Sequence, residues 1–143
     1  MTLTPEDISR EVASTGFGGD ALEKVFRVMA LLDALGSHPF LKTRVALKGG
    51  TALNLFHSDV PRLSVDVDLN YIGAAERETM LAERTQLERA VQAACSREGF
   101  TVRRMPSEHA GGKWRLWSSV SHWKTSSNSA TSTDRAIERF FGE

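Results

Sequence analysis

RVALKGGTALNLFHSDVPRLSVDVDLNYI, residues 44–72, is the stretch that decides the fold. It opens with five residues, 44–48, in which Val45 and Leu47 alternate with their neighbours, the pattern of a short buried strand. Gly49 and Gly50 then turn the chain. Thr51 stands where the N-cap of a brief helix through Ala52, Leu53, Leu55 and Phe56 is expected. Ser58, Asp59 and Pro61 mark a loop. In residues 63–72 the apolar Leu63, Val65, Val67, Leu69 and Tyr71 alternate with the polar Ser64, Asp66, Asp68 and Asn70. A period of two is the mark of a strand with one face buried and one face polar.

Outward from this stretch the chain reads as helices and further strands. On the N-terminal side, Thr4, Pro5 and Asp7 form the start signal of a short helix carrying Ile8 and Val12, and Gly16, Gly18 and Gly19 break it. Asp20 is then expected to cap a longer helix whose apolar stripe is Leu22, Val25, Phe26, Met29, Leu32 and Leu35, ending near Gly36 and Pro39. On the C-terminal side, Gly73 ends the alternating strand. Residues 75–98 form a long charged helix with Met80, Leu87, Val91 and Ala94 or Cys95 on its buried side, stopped by Gly99. Residues 100–105 and 113–117 pair as a hairpin. The segment 118–133 is dominated by Ser and Thr and reads as a loose tail. Residues 134–141 regain a weak helical pattern through Ile137, Phe140 and Phe141. The expected fold class is α/β, a small mixed sheet flanked by helices. Its core spans 1–117, and the tail 118–143 carries a short terminal helix.

Composition narrows the function. In 143 residues, 41% are apolar and 25% charged, enough for one domain with a real core. The formal net charge is zero, so no global field draws the chain to nucleic acid or to an acidic membrane. Cys95 is the single cysteine, which excludes an internal disulfide, and no Cys/His cluster has zinc spacing. The N-terminus lacks a basic and apolar leader pattern, and no apolar run approaches the roughly 20 residues that span a bilayer. The expectation is a cytoplasmic protein with no membrane partner.

The residues that carry chemistry lie in the opening stretch. Asp66 and Asp68 are two apart on a strand, so they share its polar face. Two carboxylates so close repel unless a cation lies between them, and Mg2+ takes carboxylate oxygens while leaving positions for phosphates. A solvated strand face satisfies the same pattern. Gly49, Gly50 and Thr51, between a strand and a helix, bring backbone N–H groups and a helix N-terminus to a phosphate, and Thr51 adds a hydroxyl. An ordinary strand-to-helix turn satisfies that pattern as well. Neither the P-loop nor the dinucleotide fingerprint is present. Taken in order, the phosphate cradle and the acid pair suit a single nucleoside triphosphate, attacked in line at its α-phosphorus with pyrophosphate leaving. A metal-dependent glycosyltransferase accounts for the acid pair but not for the Gly-Gly-Thr turn.

LKGGTALNLF (47–56) followed by RLSVDVDLNYI (62–72) resembles the AbiEii/AbiGii toxin family of nucleotidyltransferases, in the DNA polymerase β-like superfamily. The family pattern is a Gly-Gly-Thr/Ser turn, an arginine-bearing loop and a strand S-x-D-x-D-[LF]; Arg62, Ser64, Asp66, Asp68 and Leu69 fit it. The resemblance covers roughly residues 20–117. It implies that Gly49, Gly50 and Thr51 bind the phosphates of an NTP. It implies that Asp66 and Asp68 hold Mg2+ and carry the catalysis. It also implies a toxin of a toxin–antitoxin or phage-defence system, with an antitoxin partner and an RNA (tRNA in some members) or protein acceptor. The chain departs from the pattern after Trp117. The family's third carboxylate is absent there, the next acid being Asp134, and a downstream lysine motif is missing. A truncated copy is therefore an expectation, and the alternative function is a catalytically incomplete module that binds nucleotide or antitoxin.

The remaining candidates have plainer readings. Lys48 at a strand end and Arg62 in the loop are placed to meet phosphate, yet solvated positions suit both. Asn70 lies on the face of the acid pair. Trp114 and Trp117, interleaved with Lys113 and Arg115, form the one candidate RNA strip, with hairpin packing as the plainer role. His38, His57, His109 and His122 have no partner at ligand spacing, and Cys95 reads as an inert core thiol.

Overall fold

A computed structural model describes residues 4–49, 67–105, 113–118 and 137–138. Two helices come first, α1 (Pro5–Thr15) and α2 (Gly19–Ser37). Strands β1 (Val45–Lys48) and β2 (Asp68–Tyr71) follow, then the long helix α3 (Arg77–Arg97). Strands β3 (Phe100–Met105), β4 (Lys113–Ser118) and β5 (Ile137–Glu138) complete the described part. The α/β expectation holds. Among the described residues every strand pairing is antiparallel, with β1 and β2 in one ladder and β3-β4-β5 in another.

Helix α1 starts as its sequence dictates. The Thr4 hydroxyl accepts from the Asp7 amide, and the Asp7 carboxylate accepts from the Thr4 amide at 3.1 Å and from its hydroxyl at 2.7 Å. Two otherwise orphaned N–H groups are thereby satisfied. These bonds, the side-chain one foremost, hold the Asp7 carboxyl below its ordinary pKa.

Helix α2 buries Leu22, Val25 and Leu35 as expected and departs from expectation at its cap and in its middle turns. Its N-cap is Gly18, and Asp20 lies inside the first turn. The buried line is Leu22, Val25, Val28, Leu31 and Leu35, whereas Met29 is 48% exposed. Leu32, expected on the buried stripe, packs only at the edge of the core. The apolar residues of α2 cover so much of its circumference that periodicity alone leaves the face undecided by about one position, and packing chooses. In α3, Leu87, Val91, Ala94 and Cys95 are buried as read, but Met80 is exposed because the first turns stand clear of the core.

One core joins these elements. Val28, Leu31 and Leu35 of α2 meet Leu41, Val67, Leu69, the α3 stripe, Phe100 and Leu116. The expected hairpin is present, with Phe100 opposite Ser118 and Met105 opposite Lys113. The expected short terminal helix gives way at its described residues. Ile137 and Glu138 pair with Leu116 and Arg115 as a strand. A β-branched residue beside the open edge of β4 gains ladder hydrogen bonds there, which a weak four-residue periodicity does not outweigh.

Candidate active site

The ladder of β1 and β2 carries the candidate chemistry. Its register pairs Val45 with Tyr71, Ala46 with Asn70, Leu47 with Leu69 and Lys48 with Asp68. Val67 and Leu69 are 0% and 2% exposed, which fixes the strand's inner face. Burying each such side chain contributes about 1.5–3 kcal/mol. A one-residue slip would turn both outward and drive Asp68 into the core, so the register is strongly specified. Asp68 and Asn70 are consequently held half-buried on the opposite face.

Lys48 ends β1 and Asp68 opens β2, and the two are directly opposite. Opposed residues share a face, with Cβ atoms about 4.5–5.5 Å apart, close enough for opposite charges to attract. Gly49 follows Lys48 in the left-handed region, at φ 80°. A Cβ on Gly49 would lie 2.5 Å from Asp68 Oδ2 and 3.3 Å from both Asp68 Cβ and Cγ. The carboxylate of the acid strand thus rests against the bare backbone of the glycine turn. Glycine alone takes up both the φ angle and the contact without strain or displacement of the carboxylate.

Three of the six expected site residues, Lys48, Gly49 and Asp68, meet at this corner. Gly50, Thr51 and Asp66 lie outside the described residues, as do Arg62, His57, His109 and His122. Trp114 and Trp117, with Lys113 and Arg115, belong to β4, which pairs in the other sheet. His38 serves a turn, its Nδ1 accepting from the amides of Phe40 and Leu41. Cys95 is fully buried, and burial pushes its thiol from 9.0 up to about 12.

The corner itself offers one carboxylate oxygen donor, Asp68, and the Asn70 amide stands two residues on along the same face. A carboxylate oxygen is the donor type that a hard cation takes. Among the described residues no group of three or more His, Cys, Asp or Glu side chains is gathered for a metal. No described helix is long and apolar enough to cross a membrane.

The family model for the nucleotidyl transferase AbiEii toxin, of type IV toxin–antitoxin systems, matches residues 30–135. The chain belongs to the AbiEii nucleotidyltransferase toxin family. The match begins in α2, takes in the whole β1–β2 ladder and α3, and runs past the hairpin. No curated protein and no solved structure matches the chain.

One cluster at this ladder escaped the sequence reading. Arg44 donates from Nε to Glu83 Oε2 and from Nη2 to Glu83 Oε1, both at 3.1 Å, and the Tyr71 hydroxyl donates to Glu83 Oε2 at 2.7 Å. Arg44 and Glu83 are 39 residues apart. No local periodicity reports such a pairing; the available signal was an arginine entering a buried strand, a weak one.

Proposed function

We propose that this chain transfers a nucleoside monophosphate from an NTP to an acceptor hydroxyl on RNA, tRNA included, or on protein, as the toxin partner of an antitoxin. The observation that carries the reading is the contact of Gly49 with the Asp68 carboxylate. It sets Gly49 of one motif beside Asp68 of the other. Family membership supports nucleotidyl transfer as the reaction class.

In this reading Gly49 and the amides of Gly50 and Thr51 cradle the triphosphate, where unshielded N–H groups favour anions. Lys48, at the same edge, adds positive charge. Asp68 would hold Mg2+, together with Asp66, which the strand period assigns to the same face. When bound, Mg2+ neutralises the phosphate charge and so lowers the barrier to attack. The acceptor oxygen bonds to the α-phosphorus as the bond to the β-phosphate bridging oxygen breaks. Pyrophosphate carries away that electron pair, and the acceptor proton passes to a carboxylate oxygen of the acid pair. The protein's part is positioning and electrostatics, which dominate phosphoryl transfer.

The test is transfer of radiolabel from α-labelled NTPs to RNA and to protein in the presence of Mg2+. Asp68→Ala and Asp66→Ala are expected to abolish label transfer while keeping the native circular dichroism spectrum. Transfer at the wild-type rate in both variants would reject the assignment.

A further inference from the structure

The corner of Lys48, Gly49 and Asp68 sits at one end of a ladder only four residue pairs long. A ladder that short, two-stranded among the described residues, is marginal by itself and needs ties to the rest of the fold. Leu47 and Leu69 supply apolar anchoring from the inner face. The opposite end is tied by a polar cluster. Glu83, half-buried in α3, receives both guanidinium bonds of Arg44 and the hydroxyl of Tyr71. Arg44 precedes β1, and Tyr71 ends β2. One carboxylate of α3 therefore holds both strands at once.

The surroundings are built around this carboxylate. The Arg44 guanidinium lies 4.1 Å from the centroid of the Phe40 ring, and its Nη1 donates to the Phe40 carbonyl at 3.2 Å. The Arg44 carbonyl accepts from the Ile72 amide at 2.8 Å, extending the ladder by a bond. At Gly73 a Cβ would stand 2.7 Å from the Tyr71 hydroxyl oxygen and 2.9 Å from Arg44 Cγ. Glycine at 73 leaves the space in which the cluster closes. Arg44 first, then Tyr71, holds the Glu83 carboxyl below its ordinary pKa, so the clamp is ionised at neutral pH.

We propose that Glu83 is a positioning residue, a clamp that sets the β1–β2 ladder and through it the placement of Asp68 against Gly49. The proposal rests on the reading of Asp68 as a metal-holding carboxylate. Asp68 and Tyr71 are three residues apart on one strand, a separation of about 10 Å at the usual rise. Strand pairing couples the two ends along that length, because a shift of register at one end either carries through the ladder or demands a bulge. A bidentate guanidinium–carboxylate pair with a third donor fixes orientation as well as distance.

The experiment is hydrogen exchange on the full chain without metal or nucleotide, comparing wild type with Glu83→Ala. Peptides covering 45–48 and 68–71 are expected to exchange about tenfold faster in the variant, while α2 keeps its protection. Unchanged exchange in the ladder overturns the proposal, whatever the activity. Where Glu83→Ala loses protection in α2 as well, Arg44→Lys decides, since it keeps the charge and loses the fork. Local loss in that variant supports the clamp, and global loss in both overturns it. The second readout is the Mg2+ concentration for half-maximal transfer, which is expected to rise about tenfold in Glu83→Ala. The rise is read where circular dichroism shows the variant fully folded, because a depleted folded fraction raises an apparent midpoint as well. An unmoved midpoint in a transferring wild type counts against the proposal. If the wild type transfers nothing while the ladder loosens as stated, the nucleotidyl-transfer reading fails and the clamp stands.

Discussion

Gly49→Ala should damage catalysis far more than it damages the fold. Alanine at φ 80° incurs the left-handed backbone penalty of about 1–2 kcal/mol, offset in part by about 0.4–1 kcal/mol from a stiffer unfolded chain. Gly99 provides the control: its φ is also 80°, and nothing lies within 4 Å of where its Cβ would be. Gly99→Ala therefore reports the backbone term alone, about 1 kcal/mol net. At Gly49 the new Cβ would stand 2.5 Å from Asp68 Oδ2, so the carboxylate must swing away. Swinging a side chain off its rotamer costs about 0.5–1.5 kcal/mol. Gly49→Ala should thus fall about 1 kcal/mol below Gly99→Ala, a shift of about 0.5 M in urea midpoint. Displacing the carboxylate by about 1 Å should lower the transfer rate about 10²-fold, whereas Gly99→Ala should transfer normally. Equal urea midpoints and equal rates for the two variants would refute the close contact on which this reasoning rests.

Other predictions follow from the same structure. Leu31→Ala removes a fully buried side chain from the shared core and should lower stability by about 2–5 kcal/mol in urea unfolding. Cys95, buried with its thiol pushed up to about 12, should resist a thiol reagent at pH 8 in the native chain and react promptly in denaturant. Rapid native labelling would show an open path to it. Because burial favours the neutral thiol, its contribution is present below its ordinary value of 9.0 and is lost as pH rises through the range from 9.0 to about 12. The Asp7 and Glu83 carboxyls are both lowered, from 3.8 and 4.5. Their contributions are present above those ordinary values and are lost as pH falls through the lower folded ones. Acid titration should therefore weaken the start of α1 and the Glu83 clamp together, and Asp7→Asn should remove the first effect only.

Local rules carried the reading of the site strand and failed where packing decides. The alternation in 63–72 foretold that Val67 and Leu69 would be inside and Asp68 and Asn70 outside, because a period of two has only two phases. The Thr4 and Asp7 capping box was equally plain, since both partners lie within one turn. Helix α2 kept Leu22, Val25 and Leu35 inside but went one position astray in its middle turns, because apolar side chains cover most of its circumference, leaving Met29 exposed and Val28 and Leu31 inside. Ile137 was placed in a helix because its ladder partner, Leu116, lies 21 residues earlier in sequence and no window spans both. The same blindness to distance hid the joining of Arg44, Tyr71 and Glu83. At the candidate site, the residue types and their order were legible. That Gly49 packs against Asp68 follows from strand register, which a turn sequence does not specify when a long connection separates the strands.

The most direct measurement is a crystal structure of the chain soaked with Mg2+ and a non-hydrolysable nucleoside triphosphate. The account predicts phosphate density on the backbone amides beginning at Gly49, with a cation bridging it to the Asp68 carboxylate. Nucleotide bound elsewhere, with Asp68 touching neither metal nor phosphate, would contradict it.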